Sequence, residues 1–335
     1  YQTTCTRVNP GYFAVSDLIV IARGNEVYVI YDRIDADSRV ASTWYKSLAD
    51  PNKAGEINDY AFEYESGWIH DWAVGIDADG YLHVAYIDNN GTGPYPHTRY
   101  LTYRSNRSVS PDGRMLQYWY VYSGNEIDIV AGISLAFTTS GSGEHVNIVG
   151  VINNSGSDEI KVHRCETDGC TSGSTINVML PASWAGNASI SGVEIAGGGA
   201  GYALGFIGSD DPSADHQVYT INAGSSVAGI PFQVSDPDSS LELILHSATV
   251  TARPNSQITG EMEVFSWGET DASSVQYYTY DGYDTIKVFD ATCTNMVIYG
   301  DVAANGSFYA GVWEACGETW HSAWAEQINL PVVTK

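Results

Sequence analysis

Positive charge is scarce in this chain. Its 335 residues carry 15 Lys and Arg against 40 Asp and Glu, a net charge of −25. Nucleic acid is excluded as a partner, because its phosphates need Lys and Arg for neutralisation. An anionic membrane surface is excluded on the same ground. Long apolar runs are missing as well. None approaches the roughly 18 residues of a membrane span, so no membrane insertion is expected. A 3.6-residue hydrophobic period of useful length is absent. Cysteine is limited to five residues, with neither a CxxC pair nor a zinc pattern. GxGxxG and GxxxxGK[ST] loops, the G-x-S-x-G elbow and H-E-x-x-H are all missing, and no cofactor is expected. No signal peptide is present, and the chain starts at Tyr1 rather than Met. It therefore reads as a mature, processed chain.

Tyr (23), Trp (9) and Gly (34) are plentiful, and together they favour strands and tight turns. The stretch "IDADGYLHVAYID", residues 76–88, shows the pattern. Asp79-Gly80 forms a turn, and Leu82, Val84 and Tyr86 then alternate with His83, Ala85 and Ile87. Asp-Gly ahead of such alternation predicts a hairpin.

The hairpin recurs. Residues 16–32, "SDLIVIARGNEVYVIYD", lay onto 71–88, and four further pairs follow. Their second strands end at Tyr31, Tyr86, Val151, Phe206, Trp267 and Trp313, with spacings of 55, 65, 55, 61 and 46 residues. A third strand follows each pair, in which Tyr45-Lys46, Tyr103-Arg104 and His163-Arg164 take one equivalent place. A fourth, more variable strand comes next, read as "NDYAFEYE" (58–65) in the first repeat and "INLPVV" (328–333) in the last. Four strands per unit, repeated at this length, predict an all-β, six-bladed β-propeller with four antiparallel strands per blade. The chain reads as one domain, 1–335, with blades near 13–66, 67–124, 125–182, 183–236, 237–291 and 292–335, and a terminal segment, 1–12. A pair of stacked sheets is the competing architecture, and the even spacing counts against it.

"DADGYLHVAYIDNN…RYLTYR" resembles the propeller repeats of secreted proteins in the broad Asp-box, or BNR-like, sialidase-type group. The resemblance is best in repeats 1 and 2 and faint in 3 to 6. It implies a propeller fold and an extracellular setting. The full Asp box, S-x-D-x-G-x-x-W, is not intact, because Asp77-Ala78-Asp79-Gly80 lacks the Ser and the Trp. A sialidase-type site would need three converging Arg. Only ten Arg are present, mostly in the first third, and the group's N-terminal Arg motif is absent. Sialidase chemistry is therefore not expected.

Trp68, His70, Asp71 and Trp72, in "WIHDWAVG", form the densest candidate site. Two Trp beside His-Asp suit sugar stacking with hydroxyl bonding, or a general acid and base. The same residues also suit plain packing with a surface hydrogen bond. Tyr95 and His97 form a second aromatic-polar loop. No catalytic residue is assigned. Acidic stretches at 32–38, 208–215 and 235–240 are the only places that suggest a metal, calcium, and none completes a calcium-loop pattern. Solvated acidic turns are the preferred reading.

Cys165 and Cys170 bracket a turn, and Cys293 and Cys316 flank an antiparallel pair, so both pairs are expected to bridge. Cys5 is left over. Sequons at Asn90, Asn106, Asn153, Asn187 and Asn305 fall in turns or loops, so glycans are expected on at least two of them. Cysteines and sequons together favour an extracellular protein. Either residues 328–335 or residues 1–12 complete the last blade, and the other segment is then free to dock on an open edge. The expected function is a secreted, non-catalytic structural, assembly or binding module. Its expected partner is itself, as oligomer or filament, or an extracellular glycan or protein. The alternatives are a lectin-like propeller, or a glycan-active hydrolase or lyase at the channel mouth of blades 1 and 2.

Overall fold

The second strands of the first three hairpin pairs are largely apolar in both parities, and the structure shows why. A computed structural model of the chain describes residues 14–34, 40–59, 72–89, 99–111, 113–115, 118–122, 128–141, 143–154, 156–167, 173–198, 201–214, 216–224, 232–233, 243–250, 263–269, 274–278, 285–290, 297–305, 308–315, 318–325 and 332–334. Among these residues the fold is almost wholly antiparallel β, with one short 3-10 turn, Ala182–Trp184, and no α-helix.

The strands group into six separate four-stranded sheets. The first holds β1 (Ala14–Arg23), β2 (Glu26–Ile34), β3 (Val40–Ser47) and β4 (Ala54–Asp59). The second holds β5 (Trp72–Ile76), β6 (Leu82–Asn89), β7 (Arg99–Ser105) and β8 (Tyr118–Tyr122). The third holds β9 (Asp128–Ser140), β10 (Gly143–Asn154), β11 (Ser157–Glu166) and β12 (Ser174–Asn177). The fourth holds β13 (Ser189–Gly198), β14 (Gly201–Ser209), β15 (Gln217–Gly224) and β16 (Phe232–Gln233). The fifth holds β17 (Leu243–Val250), β18 (Glu263–Glu269), β19 (Ser274–Tyr278) and β20 (Thr285–Asp290). The sixth holds β21 (Val297–Asn305), β22 (Phe308–Ala315), β23 (Glu318–Ala325) and β24 (Val332–Thr334). In each sheet the strands lie side by side in chain order. The aligned residues occupy second strands: Tyr31 pairs with Leu18, Tyr86 with Trp72, and Trp267 with Leu245.

The chain divides into two compact units, Tyr1–Ile127 with the first two sheets and Asp128–Lys335 with the other four. In the first unit Tyr28, Ile30, Tyr45 and Ile57 of the first sheet pack with Ile76, Leu82, Val84 and Tyr86 of the second. Each such side chain, taken from water, contributes roughly 1.5–3 kcal/mol. Hydrogen bonds hold the same two sheets together. Tyr28 Oη donates to Gly80 O (2.8 Å), Arg23 to Ile76 O (2.7 Å) and Tyr45 Oη to Gly113 O (3.0 Å). Arg104 donates to Ile57 O. In the second unit Trp184 stands edge-on to Phe206 and Tyr219, at 6.0 and 4.9 Å, in a core with Val149, Val162, Ile195 and Leu204. Being enclosed by such packing, Tyr28–Tyr31, Leu82–Tyr86 and Val146–Ile152 are buried on both faces.

One strand departs from the sequence reading. Among the described residues the fourth strand of the first sheet is Ala54–Asp59, starting four residues before the expected 58–65. The turn before it is short, with Lys53 N–H on Asp50 O and Ser47 N–H on Lys53 O, so pairing resumes at Ala54. Ile57 is then the inward residue, wholly buried. Of the expected 58–65, Asn58 and Asp59 are described, and residues 60–65 lie outside the described residues. In the sixth sheet Val332–Thr334 pairs with β23, so the C-terminal segment supplies the fourth strand. Residues 1–12 lie outside the described residues.

Candidate functional site

A buried polar cluster grows out of the opening motif. After β5 the backbone turns at 77–80, and Gly80, at φ +82, takes the left-handed conformation that such a turn requires. Asp77 organises this turn. Its Oδ1 accepts the N–H groups of Asp79 (3.0 Å) and Tyr81 (2.9 Å). Its Oδ2 accepts from His83 Nε2 (2.8 Å) and from Arg107 Nε (2.7 Å). On the other side of the imidazole, Nδ1 meets the Tyr103 hydroxyl at 2.5 Å. Nε2 thus faces Asp77 and Nδ1 faces Tyr103, so both ring nitrogens are engaged.

Strand pairing brings these groups together. His83 pairs with Ser105 and Ala85 with Tyr103, so His83 and Tyr103 are diagonal neighbours across β6 and β7. Their rings stack, with centroids 5.9 Å apart. Arg107, just beyond β7, reaches back over the Tyr81 ring at 4.5 Å and adds a bond to Asp79 at 2.6 Å. Asn106 ties the turn to the first sheet. It accepts from Leu82 N–H (2.7 Å) and donates to Tyr28 Oη (3.3 Å).

The electrostatics follow the geometry. Burial alone would raise the Asp77 carboxyl. The bonds from His83, the Tyr81 N–H and Arg107, with the nearby imidazole charge, outweigh it and bring it down to about 2. Burial, reinforced by the Asp77 charge, pushes Tyr103 above the ordinary phenol range. The side chains of Asp77 and His83 have no exposed surface, and Asp79 alone in the cluster is largely in water. Both Asp77 oxygens are saturated by these bonds. Chemically the cluster is a clasp that locks the 77–81 turn onto β6, β7 and the Arg107 turn.

The residues singled out in the sequence fall elsewhere. Trp68, His70, Asp71, Tyr95 and His97 lie outside the described residues. Trp72, half-buried, packs on Tyr86 with ring centroids 6.0 Å apart. Cys165 is buried and disulfide-bonded, while Cys170, Cys293 and Cys316 lie outside the described residues. Asn90 also lies outside them. Asn305 is the last residue of β21. Asn187 is exposed, and Asn153 is half-buried and bonded to Asp158. Asn106 is buried, with 7% of the residue exposed, and its carboxamide is engaged at both ends, because it spans two sheets. Among the described residues no group of three or more His, Cys, Asp or Glu is disposed to hold a metal. In the 208–215 stretch the Asp211 carboxylate instead caps the Ser213 N–H at 2.8 Å. No described helix is long and apolar enough to cross a membrane.

Asp77, His83, Tyr103 and Arg107 were not singled out. One signal was available. A lone His in a strand apolar on both faces needs a buried partner, and Asp77 stands six residues before it.

No protein-family model matches the chain, and no curated protein matches it. Solved structures do. The chain is similar to the polysaccharide lyase Uly1, with TM-score 0.54 and 14% identity over 99% of this chain and 82% of that one. It is similar to the Dos1 propeller, with TM-score 0.50 and 13% identity over 97% and 69%. It is also similar to Trypanosoma rangeli sialidase in complex with the inhibitor DANA, with TM-score 0.52 and 8% identity over 96% and 54%. The chain spans 45% of the length of a Mycobacterium tuberculosis puromycin-hydrolysing peptidase that it also resembles, at TM-score 0.51 and 12% identity. Identities this low speak to fold alone, and the fold is propeller-like.

Proposed function

We propose that the chain is a secreted, non-catalytic module of the propeller-like group, with six blades in a ring, serving extracellular assembly or binding. One observation carries the reading. The buried polar cluster around Asp77 spends its capacity internally, with four bonds on the Asp77 carboxylate and its His83 partner sealed from solvent. In the assembly version, residues 1–12 pair with an open sheet edge, since Val332–Thr334 already fills the fourth place of the sixth sheet. Bridges Cys165–Cys170 and Cys293–Cys316 complete the proposed extracellular character.

Glycan recognition is the second reading. Two structural neighbours are named as a polysaccharide lyase and a sialidase. Trp72 is half-buried at the start of β5, beside the undescribed "WIHD" residues, and leaves part of an indole for a sugar face. In one experiment, the purified chain is incubated with neutral and acidic polysaccharides. New reducing ends or unsaturated products, retained glycan, and particle size by light scattering are followed together. Association without product supports the assembly reading, and retained glycan without product supports the lectin reading. Catalytic turnover would overturn the non-catalytic proposal.

A further inference from the structure

The structure separates sequons that look alike in the sequence. Asn187 lies in the connection from β12 to β13. Its turn is anchored by the buried Trp184, whose N–H donates to Pro181 O and whose carbonyl accepts the Asn187 N–H at 3.0 Å. The next residue is pinned from both sides. Ala188 N–H donates to Ser157 Oγ (3.1 Å), and Ala188 O accepts from Asp158 N–H (2.9 Å). Between these anchors the Asn187 side chain stands in solvent, and no described residue bonds its carboxamide.

Asn106 is the opposite case. Its Nδ2 is inside the protein and donates to Tyr28 Oη. A sugar on that nitrogen would have to occupy the space between the first two sheets. Asn153 stands between these extremes, since its Nδ2 donates to Asp158 Oδ1 at 2.8 Å.

We propose that Asn187 carries an N-linked glycan and that Asn106 does not. The inference rests on the secreted reading above and adds a site to it. The donor class is an oligosaccharide on a lipid pyrophosphate. Asn187 Nδ2 forms a bond to the sugar C1, the C1–oxygen bond to pyrophosphate breaks, and the nitrogen proton leaves with the departing phosphate. No oxidant or reductant is needed. A glycan there extends into solvent and disturbs none of the bonds that hold the turn.

The test uses the full chain from its own source, recovered separately from medium and from cells, with site-by-site glycopeptide mass spectrometry. The expected result is a glycan on the Asn187 peptide and an unmodified Asn106 peptide. Ser189→Ala and Ser108→Ala each abolish one sequon while leaving its Asn in place. Ser189→Ala should lower the intact mass by one glycan, and Ser108→Ala should leave the glycan mass unchanged. A chain from the medium that is bare at Asn187, or glycosylated at Asn106, overturns the proposal. A chain found only inside cells overturns the secreted reading instead, and this proposal with it.

Discussion

Asp77 and His83 face each other at 2.8 Å, and neither side chain has exposed surface. A polar pair placed so deep is stable only when every remaining donor and acceptor is also met. Here Tyr103, Arg107 and two turn N–H groups meet them. The pair therefore acts as a fastener between a turn and two strands.

Removing one partner should expose that dependence. Asp77→Ala leaves His83, Arg107 and two backbone N–H groups without their acceptor. A loss of about 3–5 kcal/mol is expected, read as a lower urea midpoint. Asp79→Ala removes a bond to a largely exposed carboxylate and should cost less than about 1 kcal/mol. Equal losses for the two variants would contradict the clasp.

Acid should act through the same residue. The folded Asp77 carboxyl, at about 2, lies below its ordinary value of 3.8. Its contribution is full above pH 3.8 and fades as pH falls through about 2, on the order of 2 kcal/mol in all. Asp77→Asn should flatten that part of the stability–pH curve. An unchanged acid limb in the variant would refute this assignment.

Alkali tests two of the buried phenols, Tyr45 and Tyr103. Burial first, and the neighbouring Tyr28 second, push Tyr45 up to about 12, and Tyr103 is raised as well. Raised values favour folding below pH 10 and withdraw that support as pH climbs through the folded values. Ultraviolet titration should show these two phenols ionising later in the folded chain than in urea. Tyr45→Phe and Tyr103→Phe should each remove one late step. Phenolate signals from both near pH 10 in the folded chain would contradict the burial.

Two glycines give a paired test of backbone approach. A Cβ on Gly55 would stand 1.8 Å from Gly113 O, whereas one on Gly141 meets nothing within 4 Å. Gly55→Ala should therefore destabilise by about 1–3 kcal/mol or more. Gly141→Ala should be close to neutral, or stabilising by up to about 1 kcal/mol. Thermal melts of the two variants give the comparison, and a neutral Gly55→Ala would disprove the close contact.

Hairpin structure was legible because it is local. Asp79-Gly80 and the alternation from Leu82 to Tyr86 announce the turn and the strand together. The strand 54–59 was not, because Ala54 and Gly55 carry little β signal. Its place is set by the short turn before it and by the burial of Ile57. The clasp was harder still. Asp77 reads as an ordinary turn residue and His83 as half of an alternation. Their partners lie on the next strand and just past it, at Tyr103 and Arg107. Only the β6–β7 register brings Tyr103 diagonal to His83.

Every sheet lays its strands side by side in the order in which they are made. During synthesis, each ladder therefore finds its partners among residues that have only just emerged. No strand has to wait for a segment from later in the chain, so few edges stay open for long while translation proceeds. A chain released early at a repeat boundary would hold whole sheets rather than half-paired ones.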